Sequence, residues 1–380
     1  MKKCSDDMRG CDNRRTFLKK LSLGSSGLAI GSLGMEGCAS QAAAKKRPEA
    51  DPSHITLMDQ DYRHLDLGES TVSLVKGNDR REMVYEAMKP FEEEIKDGIM
   101  GKQVFIKINC VWHDQPLIAT HPDAVRAILD FIKPFNDRPV IIGESTASPR
   151  GALTLFEEYG FTPLEREYNV QLIELNEQPT TWHWILNHNM YPIPIRIINT
   201  FLDPNNYVFS VTRLKTHNCV VATLTLKNVV MGSPLKIPAK NINDKSKMHA
   251  TGPGNNSPKM INYNLFKMAH HVRPDFGILD GFVGAEGNGP TEGEPVDHRV
   301  VLAGTDFVAV DRIGSELMGV PWEDIGYLQY CATAGLGQGD PAKINIIGPN
   351  PKDHVIKYKM HENIVWQLTW KNDLVLQPIK

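Results

Sequence analysis

The chain has 380 residues, of which 41% are hydrophobic and 23% charged, with a mean hydropathy of −0.31. That balance describes a globular body and excludes wholesale disorder, a collagen-like fibre and a multi-span membrane protein. With 42 Lys and Arg against 45 Asp and Glu, the net charge of −3 lacks the basic field a nucleic-acid binder needs, so no nucleic-acid partner is expected.

Asn13-Arg14-Arg15-Thr16-Phe17-Leu18-Lys19-Lys20 resembles a twin-arginine export signal. An uncharged stretch diluted by Gly and Ser runs on from it, too short and too weakly apolar for a stable membrane span. Ala42-Ala43-Ala44 offers small residues for cleavage, so residues 1–44 are expected to be a signal peptide read by the twin-arginine export machinery. The mature protein would then be exported across the inner membrane to the periplasm, with 45–69 as an N-terminal tether. A basic amphipathic surface helix is the alternative, and it leaves the apolar run unexplained. Met35-Glu36-Gly37-Cys38 resembles a lipoprotein box, although Glu36 fits it poorly; acylation of Cys38 would anchor the chain to a membrane. Residues 1–44 hold seven basic and four acidic residues, which leaves 35 against 41 in the body, a net of −6.

Cys4, Cys11 and Cys38 lie in the leader, and Cys110, Cys219 and Cys331 lie in the body, each more than one hundred residues from the next. No local C-x-x-C pair exists, and buried structural thiols are the expected state.

Val72 to Lys76 alternates as a strand, Asp79 to Glu94 has helical spacing, and Gln103 to Ile108 is apolar enough for a buried strand. A helix capped by Thr120 or His121 follows, with Ala124, Ile128, Leu129 and Ile132 as its apolar stripe. Pro139 to Glu144 reads as a strand and Ala152 to Tyr159 as a helix. Strand and helix alternating with short joins predict an α/β fold with a mostly parallel sheet flanked by helices. Val170 to Leu175, Arg196 to Thr200 and Tyr207 to Leu214 read as further strands, with a packed excursion around Trp182, Trp184 and Tyr191. The polar segment Pro238 to Pro258 reads as a lid-like loop. Asp275 to Asp280 reads as a strand running into a flexible glycine loop, Gly281 to Pro290. Asp306 caps a helix, and Asp324 to Thr333 is another. Ile364 to Trp370 and Leu374 to Pro378 read as a C-terminal β-hairpin within an extension covering 351–380.

Four segments, in order, resemble a widespread bacterial and archaeal family known as domain of unknown function 362. They are Val104 to Asn109; Thr120-His121-Pro122; Arg213 to His217 with Thr223 to Asn228; and Asp280-Gly281 through Pro290 with Thr305-Asp306, Ala309 and Asp311. The likeness covers roughly 70–350. The family has no general assigned activity, so the resemblance implies none. Some relatives resemble ferredoxins in an added cysteine-rich segment, which this chain lacks.

Lys215 and His217 fall at the C-terminal end of a strand, two residues apart and facing the same way in extended chain. With Lys107, Asn109, Lys227 and Asn228 they form a cationic and amide set able to hold a carboxylate or phosphoryl group; a solvated, salt-bridged rim is the plainer reading. Asp280, Glu286, Asp306 and Asp311 are the acidic counterpart. His121, His217, Asp280 and Asp306 offer an N/O set for a divalent metal ion, while His217, Lys215 and Glu286 are the candidate acid–base and electrophilic groups. Asp306 is equally well explained as an N-cap, and Asp311 by the helix dipole. Two functions therefore stand: an exported enzyme, metal-assisted, acting on a small anionic molecule, or a non-catalytic protein that captures an anion or metal. His217 facing Asp280 or Glu286 would favour catalysis; lysines and amides alone would favour binding.

Overall fold

The computed structural model describes residues 67–250 and 258–372. The twin-arginine-like segment, Cys38, all but the end of the expected tether and the second arm of the expected C-terminal hairpin lie outside the described residues. Strand β1 (Ser70–Lys76) precedes α1 (Arg80–Met88), α2 (Glu92–Ile99), β2 (Gln103–Lys107), α3 (Pro122–Ile132) and β3 (Val140–Glu144). Next come α4 (Ala152–Glu158), α5 (Leu164–Glu167), β4 (Val170–Glu174) and an antiparallel hairpin of β5 (Thr180–Leu186) and β6 (Pro192–Ile198). The long β7 (Asn206–Thr216) leads to β8 (Ala222–Thr223), α6 (Thr225–Gly232), β9 (Lys236–Ile237), β10 (Ile242–Asn243), α7 (Asp244–Met248) and α8 (Pro258–Ala269). The remainder comprises β11 (Phe276–Glu286), β12 (Glu294–Val296), β13 (Val300–Gly304), α9 (Phe307–Leu317), α10 (Gly326–Thr333), β14 (Ile344–Ile347) and α11 (Ile364–Gln367).

The main sheet runs β14-β1-β13-β11-β7-β2-β3-β4, and on this path β13 alone lies antiparallel to its neighbours. Both faces are covered, which is why the central strands are apolar throughout rather than alternating. On one face Val104, Ile106, Ile142, Phe209, Val211 and Ile278 pack with α1 to α4 in one apolar cluster. On the other, a Cβ at Gly277 would press on Thr225 of α6, and one at Gly314 on Leu279 of β11, so these glycines let the helices lie close to the sheet. From β2 the chain steps to β3 and β4 on one side, then returns to β7 on the other. That reversal opens a crevice beyond the carboxyl ends of β2 and β7, the usual ligand position in a sheet of this kind.

The α/β class and parallel sheet stand as expected, whereas four local readings change. The expected helix from Asp79 to Glu94 breaks at a 3-10 turn, Lys89–Phe91, because Pro90 cannot donate to the helical ladder. The expected glycine loop is strand as far as Glu286: a register shift between Asp280 and Ala285 keeps β11 on β7, and β12 pairs with Gly284 to Glu286. The lid-like loop contains β10 and α7, whose Asp244 is buried against Arg196 and Lys247. The first arm of the expected C-terminal hairpin is α11 followed by a 3-10 turn, Leu368–Asn372. Its β-branched and aromatic residues favour a strand locally, but Gln367 and Trp370 are buried against the body and tertiary packing overrides propensity.

Candidate functional site

Odd-numbered residues of β2 face α6, which sends Lys107 and, just past the strand, Asn109 toward that helix. There Asn228 Oδ1 accepts from Lys107 Nζ at 3.1 Å and from Asn109 Nδ2 at 2.8 Å, and Asn228 Nδ2 donates to the Lys107 carbonyl. Lys107 also forms an ion pair with Glu144 at the end of β3, 2.8 Å away, both groups buried. Glu144 accepts from the backbone amides of Cys110 and Ser145 as well. Gly232 is needed at the far end of α6 because a Cβ there would overlap Lys107 Cε.

These residues form the floor of a cavity of about 450 Å³, whose walls include Val111, Trp112, His217, Cys219, Lys227, Met231, Lys236, Lys245 and His249. Four lysines thus line it against one carboxylate, Glu144, already committed to Lys107. Lys236 donates to the Ala147 carbonyl, and Lys245 to Ser145 Oγ and the Met231 carbonyl, all neutral acceptors. Lys227 has neither a hydrogen bond nor an ion pair among the described residues. Desolvation is the main cause that lowers these amines, to about 8 for Lys227 and about 7 for Lys245. His217 is lowered well below its ordinary value, first by burial and then by Lys227, His249 and Lys215. Its Nδ1 accepts from the Cys219 amide at 3.0 Å, which leaves Nε2 carrying the proton of the neutral ring. His249 is pushed down to about 4 by burial and by Lys227.

Of the cationic and amide set, Lys107, Asn109, His217, Lys227 and Asn228 meet at this cavity. Lys215 stands behind it: its Nζ donates to Asn109 Oδ1 and to the Ile118 carbonyl, and burial followed by Lys227 lowers it to about 7. It positions Asn109 rather than facing the cavity alongside His217. The acidic set is not at the cavity, and its expected roles need correcting. Asp280 is ion-paired to Arg80 at 2.9 Å and accepts from the Phe282 amide. Glu286 accepts from the Lys359 amide, turned outward by the pairing of β11 with β12. Asp306 is an N-cap, accepting from Val308 and Ala309, and it also accepts from Ser70 Oγ and the Gln338 amide. His121 caps α3 through the Asp123 amide. The four expected metal ligands are thus divided among separate structural tasks, and among the described residues no three His, Cys, Asp or Glu side chains converge as a metal site.

Asp311 is buried in α9 and reaches across to α6, accepting from Thr225 N, Thr225 Oγ1 and Leu226 N at 2.8, 2.6 and 3.1 Å. It caps a neighbouring helix instead of its own, and burial pushes its carboxyl up to about 7. Glu144, Lys245 and His249 were not foreseen as site residues. Glu144 had a signal, an acid ending a strand between two apolar elements. Lys245 and His249 had none, since nothing local in the polar segment aims it at the sheet.

Residues 104–316 match the family described as a domain of unknown function, DUF362. A thylakoid-associated protein, sll1697, of Synechocystis sp. (strain ATCC 27184 / PCC 6803 / Kazusa) is 26% identical over 223 residues, 57% of this chain and 63% of that protein. The chain thus spans less than two thirds of that relative's length. A crystal structure of a protein from Thermotoga maritima aligns with a TM-score of 0.38 at 14% identity, covering 69% of this chain and 60% of the other. With its match running from β2 to α9 and taking in most of the cavity wall, the chain belongs to the DUF362 family.

Proposed function

We propose that the cavity binds a small oxyanion, a carboxylate or phosphoryl group, with Lys107, Lys227, Lys245 and the neutral His217 as its recognition set. The observation that carries this reading is the unbalanced charge of the wall: Lys227, Lys236 and Lys245 have no bonded carboxylate, and Glu144 is spent on Lys107. Buried cations without a counter-charge are costly, and they either lose a proton or acquire an anion. Trp112 and Met231 add an apolar side for the body of an organic anion. No carboxylate is bonded to His217 or stands among the groups that shift it, so the reading is capture of an anion rather than acid–base catalysis by a histidine–carboxylate pair.

Calorimetric titration with malonate and with inorganic phosphate tests this, and the tighter of the two identifies the class. Lys227→Met and Lys245→Met are each expected to weaken binding by roughly tenfold, the loss of one charge-assisted hydrogen bond. Failure of both anions to bind, or binding unchanged in both variants, contradicts the proposal. On the twin-arginine reading of the leader this capture takes place outside the cytoplasm. Replacing Arg14 and Arg15 together by Lys should then leave the protein in the cytoplasmic fraction, and unchanged export would contradict that location.

A further inference from the structure

Among the lysines at or behind the cavity, Lys227 differs from the others in having nothing to do. Lys107 Nζ donates to three acceptors, Lys215 and Lys245 to two each, and Lys236 to one. Lys227 is only 7% exposed, lines the cavity, and has no partner for its amine among the described residues. Its backbone is nevertheless fixed, because it sits in the first turn of α6, where Asp311 accepts from the leading amides of Thr225 and Leu226. A side chain so anchored at its root and so unengaged at its tip is built to meet a ligand.

We infer that Lys227 is a Schiff-base lysine, its amine condensing with the carbonyl of an α-keto acid whose carboxylate the cavity holds. This rests on the oxyanion reading above and adds a covalent step to it. Burial and the neighbouring Lys107 cation keep part of the amine unprotonated near neutrality, the condition for an amine nucleophile. Lys245, with one N–H left, and His217 Nε2–H are the donors for the carboxylate, and Val111, Trp112 and Met231 form the apolar wall for the keto acid's side chain. In the step, the nitrogen lone pair attacks the carbonyl carbon and forms the C–N bond. The carbonyl oxygen then departs as water with one hydrogen from the nitrogen and one proton from solvent, leaving a cationic iminium. No electrons are exchanged, and the product retains a positive charge among the cavity's donors.

The test uses the full chain incubated above neutrality with pyruvate or α-ketoisocaproate and sodium cyanoborohydride, which delivers hydride to an iminium and fixes it as a secondary amine. Peptide mass spectrometry of the wild-type protein is expected to find the adduct at Lys227, and Lys227→Arg, which keeps the charge, should abolish it. The non-carbonyl analogue α-hydroxyisocaproate is titrated in parallel by calorimetry. Binding of the hydroxy acid with no adduct, or an adduct on other lysines only, overturns the Schiff base and leaves the oxyanion reading standing. Failure of both the hydroxy acid and the keto acids to bind overturns both.

Discussion

Lys107 and Glu144 show what one buried residue demands of another. Each is almost fully enclosed, each is the other's counter-ion, and both are tied to backbone at strand ends. Removing one partner strands a charge, so Lys107→Met and Glu144→Gln should each cost about 3–5 kcal/mol, while the double variant should cost less than their sum. Denaturant unfolding of the four proteins measures this; additive losses would mean that the two groups are not coupled. The same residues show how far a side chain's role is legible from sequence. Lys107 and Asn109 fall with Lys215 and His217 because strand ends are legible in the sequence, whereas Lys227 and Asn228 join them only through the family-like segment they sit in. Glu286, Asp280 and Asp306 were placed with them on chemistry alone, and the register of β11 and the capping of α9 send them elsewhere. Glu144 ends a legible strand, but its pairing with Lys107 depends on β2 and β3 being neighbours, and Lys245 reaches the cavity from α7 through tertiary packing that no local pattern encodes.

At the scale of elements, the loop that carries His217 is held from outside. The His217 amide donates to the Val221 carbonyl, and Val221 itself adopts φ +68°, a left-handed conformation costly for a β-branched residue. Gln367 of α11 braces this turn: its Oε1 accepts from the Val221 amide at 2.6 Å, and its Nε2 donates to the His217 carbonyl at 2.8 Å. Gln367→Ala leaves both backbone groups buried and unpaired, so a loss of about 1–3 kcal/mol in stability is expected, with weaker anion binding as His217 loses its fixed position. Thermal unfolding and the calorimetric titration read the two effects; full stability and full affinity in this variant would show that the brace is dispensable. Here the sequence misleads, since Ile364 to Trp370 has strong β propensity and becomes helical only because Gln367 and Trp370 find buried partners. The α/β alternation was legible because its periodicities are long and reinforced by Pro and Gly; the C-terminal segment was not, because its conformation is decided by contacts 46 residues away at Trp370 and 150 residues away at Gln367.

At the scale of the molecule, a chain with a net charge of −3, and of −6 over residues 45–380, encloses a cavity lined by four lysines and one carboxylate. On the proposed function, the outer charge would repel polyanions, while the inner wall, shielded by burial from salt, would attract a small anion that can enter. The strand order makes this arrangement: reversing direction at β2 opens the crevice where Lys107, Asn109 and Glu144 end their strands, and α6 closes it with Lys227 and Asn228. The parallel sheet was foreseen, but its order was not, and the order is what gathers the cations. Because burial lowers Lys227 to about 8 and Lys245 to about 7, an anion that restores their charge must draw protons from solvent. Affinity should therefore be greatest below about pH 7 and fall as pH rises through both values, since the neutral amines no longer attract the ligand. The most direct test is calorimetry of malonate binding, a dianion that does not itself titrate near neutrality, in buffers of different ionisation enthalpy across this range. The account predicts net proton uptake on binding between about pH 7 and 8, reduced in Lys227→Met and Lys245→Met. Absence of binding, or binding with no proton uptake at any pH, would contradict it.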